Sequence, residues 1–177
     1  MKATTMRTLR AIIFDYGVLF KDDPETVDQL RFLLERLKAL GLKVVVFSTY
    51  ERDIDAELEK RGLPPSDHFL FRSMVGISKG SGKWVETTAD LLKIETCQCA
   101  YIGDDKQDWL TAIKAAVFFI HARWSRPLPP DVTTIAVEQP LAILSFITHF
   151  LLIPPRFEYT LDVEEHRLWN YLGLVDG

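Results

Sequence analysis

Cysteine is nearly absent from this chain of 177 residues, which holds only Cys97 and Cys99. Standing one residue apart, they cannot close a long loop. That excludes a disulfide scaffold and leaves the reduced thiols of a cytoplasmic protein as the simplest reading. Long hydrophobic runs are missing too. The longest, residues 141–153 (LAILSFITHFLLI), is about 13 residues long and carries Ser145, Thr148 and His149, well short of the roughly 20 that a membrane-spanning helix needs. It reads as a core or interface helix, and no membrane partner is expected. The first ten residues are polar and basic with no apolar stretch, so no secretory signal is expected. Charge of one sign is scarce as well: 21 Lys and Arg against 25 Asp and Glu leave a net charge of −4. Bulk attraction to nucleic acid is therefore not expected. Nine Gly and nine Pro are too few for a low-complexity or collagen-like chain, and 47% hydrophobic residues suffice for a packed core. The length fits one domain.

The pattern that is present alternates between short apolar runs and longer amphipathic stretches. Residues 11–15 (AIIFD) and 43–48 (KVVVFS) are nearly continuous apolar runs, as strands buried on both faces of a parallel sheet should be. Residues 68–72, 100–103, 117–121 and 134–137 are shorter candidates of the same kind. Between them, residues 25–40 place Val27, Leu30, Leu33, Leu34, Leu37 and Leu40 at three- and four-residue spacings before Gly41, which predicts a helix. Residues 52–61, 82–94 and 106–116 read as helices as well. This alternation predicts an α/β three-layer sandwich with a Rossmann-like parallel sheet and a site outside the carboxyl ends of its strands. The Pro-rich stretch 126–130 is the one plausible seam, dividing a core over 1–125 from a C-terminal extension over 126–177.

Polar residues follow the strands in turn. Asp15 ends the first; Ser48, with Thr49 beside it, ends the second; Lys79 stands in the Gly-rich loop SKGSGKW; Gly103, Asp104, Asp105 and Asp108 follow a later strand. Phosphoryl transfer calls for this set of parts: a nucleophilic or metal-binding carboxylate, hydroxyl donors for the phosphate oxygens, a cation, and further carboxylates for a hard ion such as Mg²⁺.

The order and spacing resemble the haloacid dehalogenase-like hydrolase superfamily across about residues 10–122. Residues 12–18 (IIFDYGV) match its first motif, Ser48 its second, Lys79 its third, and Gly103, Asp104 and Asp108 its GDxxxD fourth. The resemblance implies a phosphomonoester hydrolase acting through an aspartyl phosphate on Asp15. It implies Mg²⁺ held by Asp15, the backbone carbonyl of Gly17 and Asp104, with Asp108 supporting the metal site. Ser48 would bond the phosphoryl oxygens and Lys79 would offset the anionic charge. Lys83 rivals Lys79 for that role, and Thr49 rivals Ser48.

One position departs from the family's phosphatases. They carry a second Asp two residues after the nucleophile as general acid and base, and here that position is Gly17. Asp22 and Asp23, just downstream, are candidate substitutes. The alternative reading of the departure is a member that binds metal and a phosphorylated ligand or partner with little turnover. Neither gap between motifs is long enough to hide a large cap domain. An open site suits a phosphorylated substrate as large as a protein or nucleic-acid end, or one shielded by a partner subunit. The extension, with residues 163–172 rich in apolar and aromatic side chains, is expected to pack on the domain or to form a homodimer. Cys97, Cys99, His121 and His149 read as packed rather than metal-binding, Asp105 as a carboxylate in the first turn of a helix, and Trp84, Trp109, Trp124 and Trp169 as core or interface.

Overall fold

The computed structural model describes residues 9–148; residues 163–172, His149 and Trp169 lie outside the described residues. Six parallel strands form one sheet in the order β3-β2-β1-β4-β5-β6. They are β1 (Ala11–Asp15), β2 (Lys43–Ser48), β3 (His68–Phe71), β4 (Cys99–Gly103), β5 (Phe118–Ala122) and β6 (Ile135–Val137). The helices are α1 (Tyr16–Leu19), α2 (Pro24–Ala39), α3 (Ile54–Lys60), α4 (Arg72–Val75), α5 (Lys83–Leu92), α6 (Lys106–Lys114) and α7 (Pro140–Phe146). Each expected strand, and each of the four helices expected between strands, is present within a few residues of the expected bounds, and α7 falls in the apolar run 141–153, of which residues 149–153 lie outside the described residues. The two short helices α1 and α4 are additions: four residues carry no readable period.

Alternation along the strands sends side chains to opposite faces and makes two cores. Ile12, Phe14, Val44 and Val46 join the leucines of α2 and Ile143 and Phe146 of α7 on one side. Ile13, Val45, Phe47, Tyr101 and Phe119 join Trp84 and Val85 of α5 on the other. This is the three-layer α/β sandwich that the continuous apolar runs imply, because both faces of a parallel sheet must be covered. Beyond the Pro-rich stretch, β6 pairs with β5 and the Phe146 ring stacks on Phe118 at 5.0 Å. Only α1 and α2 separate β1 from β2, and only α3, β3 and α4 separate Ser48 from Lys79 before the Gly-rich loop. No cap domain stands over the carboxyl edge among the described residues.

Two contacts fix the ends of the sheet. At the amino edge, Asp67 accepts the Val44 amide at 2.8 Å and lies 3.0 and 3.4 Å from the ammonium groups of Lys43 and Lys38. Burial alone would raise its pKa, but the amide and the two lysines outweigh that and hold the carboxyl below its ordinary 3.8. At the carboxyl edge, β4 ends on Gly103, where a Cβ would stand 2.4 Å from the Asp108 Cβ of α6 and 2.6 Å from its Oδ2. Only glycine lets α6 approach β4 so closely.

Asp67→Ala is expected to cost about 1–3 kcal/mol at pH 7. Because the folded pKa is depressed, that contribution is full above the unfolded value and fades as pH falls through the folded one. Denaturant titrations of both proteins at pH 7 and pH 3 check this, and an equal gap at both would contradict it. Gly103→Ala should lower stability by roughly 1–3 kcal/mol through overpacking against Asp108, read as a lower melting temperature.

Candidate active site

Four loops bring polar groups together at the carboxyl edge of β1, β4 and β5. Asp15 is the last residue of β1 and also the N-cap of α1: its Oδ2 accepts the Gly17 amide at 2.7 Å. It is 8% exposed, Asp104 3% and Asp108 0%. One carboxylate oxygen from each lies within 4.8 Å of the others. Three buried carboxylates so close repel one another, and leaving even one unpaired would cost several kcal/mol. The fold answers with Lys79, whose ammonium bonds Asp15 Oδ1 and stands 3.1 Å from Asp108 Oδ1.

Lys79 reaches this point because its loop is fastened to α6 and to α5. The Gly80 amide donates to Thr111 Oγ1 at 2.7 Å, the Lys114 ammonium donates to the Gly80 carbonyl at 2.6 Å, and the Trp84 indole donates to the Ile77 carbonyl at 3.0 Å. Lys83, by contrast, lies on the surface of α5 with its ammonium 4.0 Å from Glu86. Of the two candidate lysines, only Lys79 meets the carboxylates.

Asp108 is held from three further sides. Tyr101 donates its hydroxyl to Oδ1 at 2.6 Å, the Asp104 amide donates to Oδ2 at 3.1 Å, and the Asp108 amide donates to Asp105, the N-cap of α6, at 2.9 Å. Burial pushes the Asp108 carboxyl upward while Lys79 pulls it back. Burial, and then the Asp108 charge, push the Tyr101 hydroxyl well above 10, so Tyr101 stays a donor. Asp105 is the N-cap of α6, just before the first turn in which it is expected, and Asp108 is the carboxylate within that turn.

Ser48 is buried at the end of β2 and donates to the Tyr50 carbonyl at 2.7 Å. Asp23 caps α2 through the Thr26 amide at 2.9 Å, and the Thr26 side chain, then that amide, hold its carboxyl below 3.8. Asp22 lies 3.5 Å from Arg61 and is 97% exposed. Neither makes a contact with Asp15. His121 is fully buried with Nε2 2.9 Å from the Arg126 carbonyl. Cys99 is buried in β4, where burial and then Cys97 push its thiol up to about 12.

The structure adds residues that the motifs did not name. Ser125 Oγ contacts Asp104 Oδ2 and lies 3.2 Å from the Gly17 carbonyl, and Arg126 Nε is 3.5 Å from Asp104 Oδ2. Both follow β5, so the rule that function sits just after each strand could have found them. On the side toward β2, the Tyr16 hydroxyl donates to Glu57 at 2.5 Å and the Arg52 guanidinium lies 3.8 Å above the Tyr16 ring.

A hard oxygen-seeking divalent cation fits this donor set: three carboxylates and a backbone carbonyl, with no sulfur or imidazole ligand among the described residues. No helix among the described residues is long and apolar enough to cross a membrane.

No family model matches the sequence and no curated protein does. Solved structures match its fold. A HAD-superfamily hydrolase of subfamily IA, variant 1, from Geobacter sulfurreducens is 15% identical with a TM-score of 0.62, covering 78% of this chain and 96% of that one. A HAD phosphatase from Thermococcus onnurineus is 13% identical with a TM-score of 0.62, covering 78% and 98%. A Had-superfamily hydrolase from Ehrlichia chaffeensis is 17% identical with a TM-score of 0.60, covering 81% and 98%. The chain accordingly has the fold of the haloacid dehalogenase-like hydrolases, as its four motifs imply.

Proposed function

We propose that this protein is a Mg²⁺-dependent phosphomonoester hydrolase with Asp15 as nucleophile. The observation that carries the reading is the placement of Lys79 between Asp15 and Asp108, beside Asp104, at the open carboxyl edge of a sheet shared with hydrolases and a phosphatase. Lys79 favours the ionised form of the carboxyls it touches, so Asp15 is kept as a carboxylate able to attack phosphorus. Asp15, Asp104 and the Gly17 carbonyl would hold the cation, with Asp108 in support. When bound, it would offset charge on the phosphoryl oxygens.

In this reading an Asp15 oxygen forms a bond to phosphorus as the bond from phosphorus to the leaving oxygen breaks, giving an aspartyl phosphate and an alkoxide or phenoxide that takes its proton from water. Water then attacks that phosphorus and gives up a proton to solvent, and Asp15 leaves as the carboxylate, releasing inorganic phosphate. Lys79 balances the negative charge through both steps. Ser48 would turn its hydroxyl from the Tyr50 carbonyl toward a phosphoryl oxygen. The leaving oxygen finds no carboxyl at position 17 to protonate it. General acid help is worth roughly 10²–10⁴ in rate, so phenolic leaving groups should be favoured over alkyl ones. With no cap domain among the described residues, the edge suits a large phosphorylated substrate, and the two free thiols suit a cytoplasmic setting.

Hydrolysis of an activated aryl phosphate should require Mg²⁺ and stop with a chelator. Asp15→Asn should abolish it, Lys79→Met should lower kcat by about 10²–10³, and Lys83→Met should leave it unchanged. Wild-type turnover no greater than that of Asp15→Asn would overturn the hydrolase reading.

A further inference from the structure

The loop after β5 is more firmly built than a seam between domains needs to be. The amides of Ser125 and Arg126 both donate to the Ala122 carbonyl, at 3.1 and 3.3 Å. The Arg126 carbonyl is held by His121, and since a carbonyl only accepts, Nε2 carries the proton. The Trp124 indole donates to the Val18 carbonyl at 3.2 Å and so ties the loop to α1. These anchors present one hydroxyl, Ser125 Oγ, to two oxygens at once: Asp104 Oδ2 and the Gly17 carbonyl oxygen, the latter at 3.2 Å.

A serine hydroxyl has one proton and two lone pairs. It can donate to the carboxylate or to the carbonyl, and whichever is left faces a lone pair. Three oxygens converging with one proton among them leave room for positive charge. The deficit is local to this side of the site. Lys79 serves Asp15 and Asp108, whereas Asp104 is faced by Arg126 at 3.5 Å, whose side chain is 63% exposed, and by the more distant charge of Lys21. Neighbouring oxygens on a Mg²⁺ octahedron stand about 2.9 Å apart, close to the spacing of Ser125 Oγ from the Gly17 carbonyl.

We propose that Ser125 Oγ is a protein ligand of the divalent cation, joining Asp15, Asp104 and the Gly17 carbonyl from the loop after β5. This rests on the cation site of the proposed function and adds a neutral hard oxygen to it. On binding, the hydroxyl turns its proton away from Asp104 and offers a lone pair to the ion, while Arg126 is released to solvent or to the substrate. No bond to hydrogen need break.

Calorimetric titration of the full chain with Mg²⁺ and with Cd²⁺ tests this without any turnover. Mg²⁺ affinity should fall roughly 10–100-fold in Ser125→Ala and stay close to wild type in Ser125→Thr, which keeps the hydroxyl. Ser125→Cys should bind Cd²⁺ more tightly than Ser125→Ala does, because a soft thiolate prefers the softer metal. Cys97 and Cys99 are common to both variants, so the difference reports position 125. Mg²⁺ affinity unchanged in Ser125→Ala, or no Cd²⁺ gain in Ser125→Cys, would overturn the assignment and leave the remaining cation site standing. A wild type that binds no Mg²⁺ would overturn both. Should Ser125→Ala fail to melt cooperatively, the Thr and Cys variants alone decide.

Discussion

The ammonium of Lys79 is the contact on which the carboxyl edge depends. Asp15, Asp104 and Asp108 are each more than nine-tenths buried, and carboxylates desolvated that far persist only with cations or dense hydrogen bonding around them. Lys79 reaches two of them because its loop is sewn to α6 through Gly80, Thr111 and Lys114. That same helix delivers Asp108, and Gly103 lets it lie close enough to β4 to do so. The lysine, the loop and the helix thus position one another. Tyr101, kept protonated by burial, completes the surroundings of Asp108 from inside the sheet.

Charge is divided unevenly across the site. Lys79 lies between Asp15 and Asp108, while Asp104 is met by a hydroxyl and by a largely exposed guanidinium. The fixed cation leaves one flank compensated in every state. The other flank can exchange its weaker partners for a divalent ion, since a guanidinium in solvent gives up a contact at little cost. A site meant to take up an ion and a phosphate, in the hydrolase reading, benefits from this asymmetry: the nucleophile's charge is held by the protein itself, and the variable charge is confined to the side of Asp104 and Gly17.

What could be read from the sequence follows the range of the forces involved. The buried strands are visible because a parallel sheet covered on both faces demands continuous apolar runs, and α2 because sixteen residues give its leucines several turns to repeat. The motif residues are visible because they follow strands. Ser125 and Arg126 follow one too, but they merge into the Pro-rich stretch and read as a seam. Tyr101 is hidden for the opposite reason: in β4 it passes as a core aromatic, and only the fold shows its hydroxyl meeting Asp108 at 2.6 Å. Asp22 and Asp23 illustrate the limit of proximity along the chain. They stand near Asp15 in sequence, yet one pairs with Arg61 and the other caps α2.

Gly17 joins two properties that look separate. Its amide donates to Asp15 Oδ2 at 2.7 Å, which orients the carboxylate. A Cβ at the same position would lie 2.9 Å from that oxygen and 3.3 Å from Asp104 Oδ2. A side chain there would press on the movable end of Asp15 and, more lightly, on that of Asp104, and a second carboxyl would add negative charge where three already converge. The amide that orients Asp15 belongs to the backbone, so it serves whether or not position 17 bears an acid. In the hydrolase reading, the chemistry must then draw its selectivity from the leaving group, whose own acidity sets how much a missing proton donor costs.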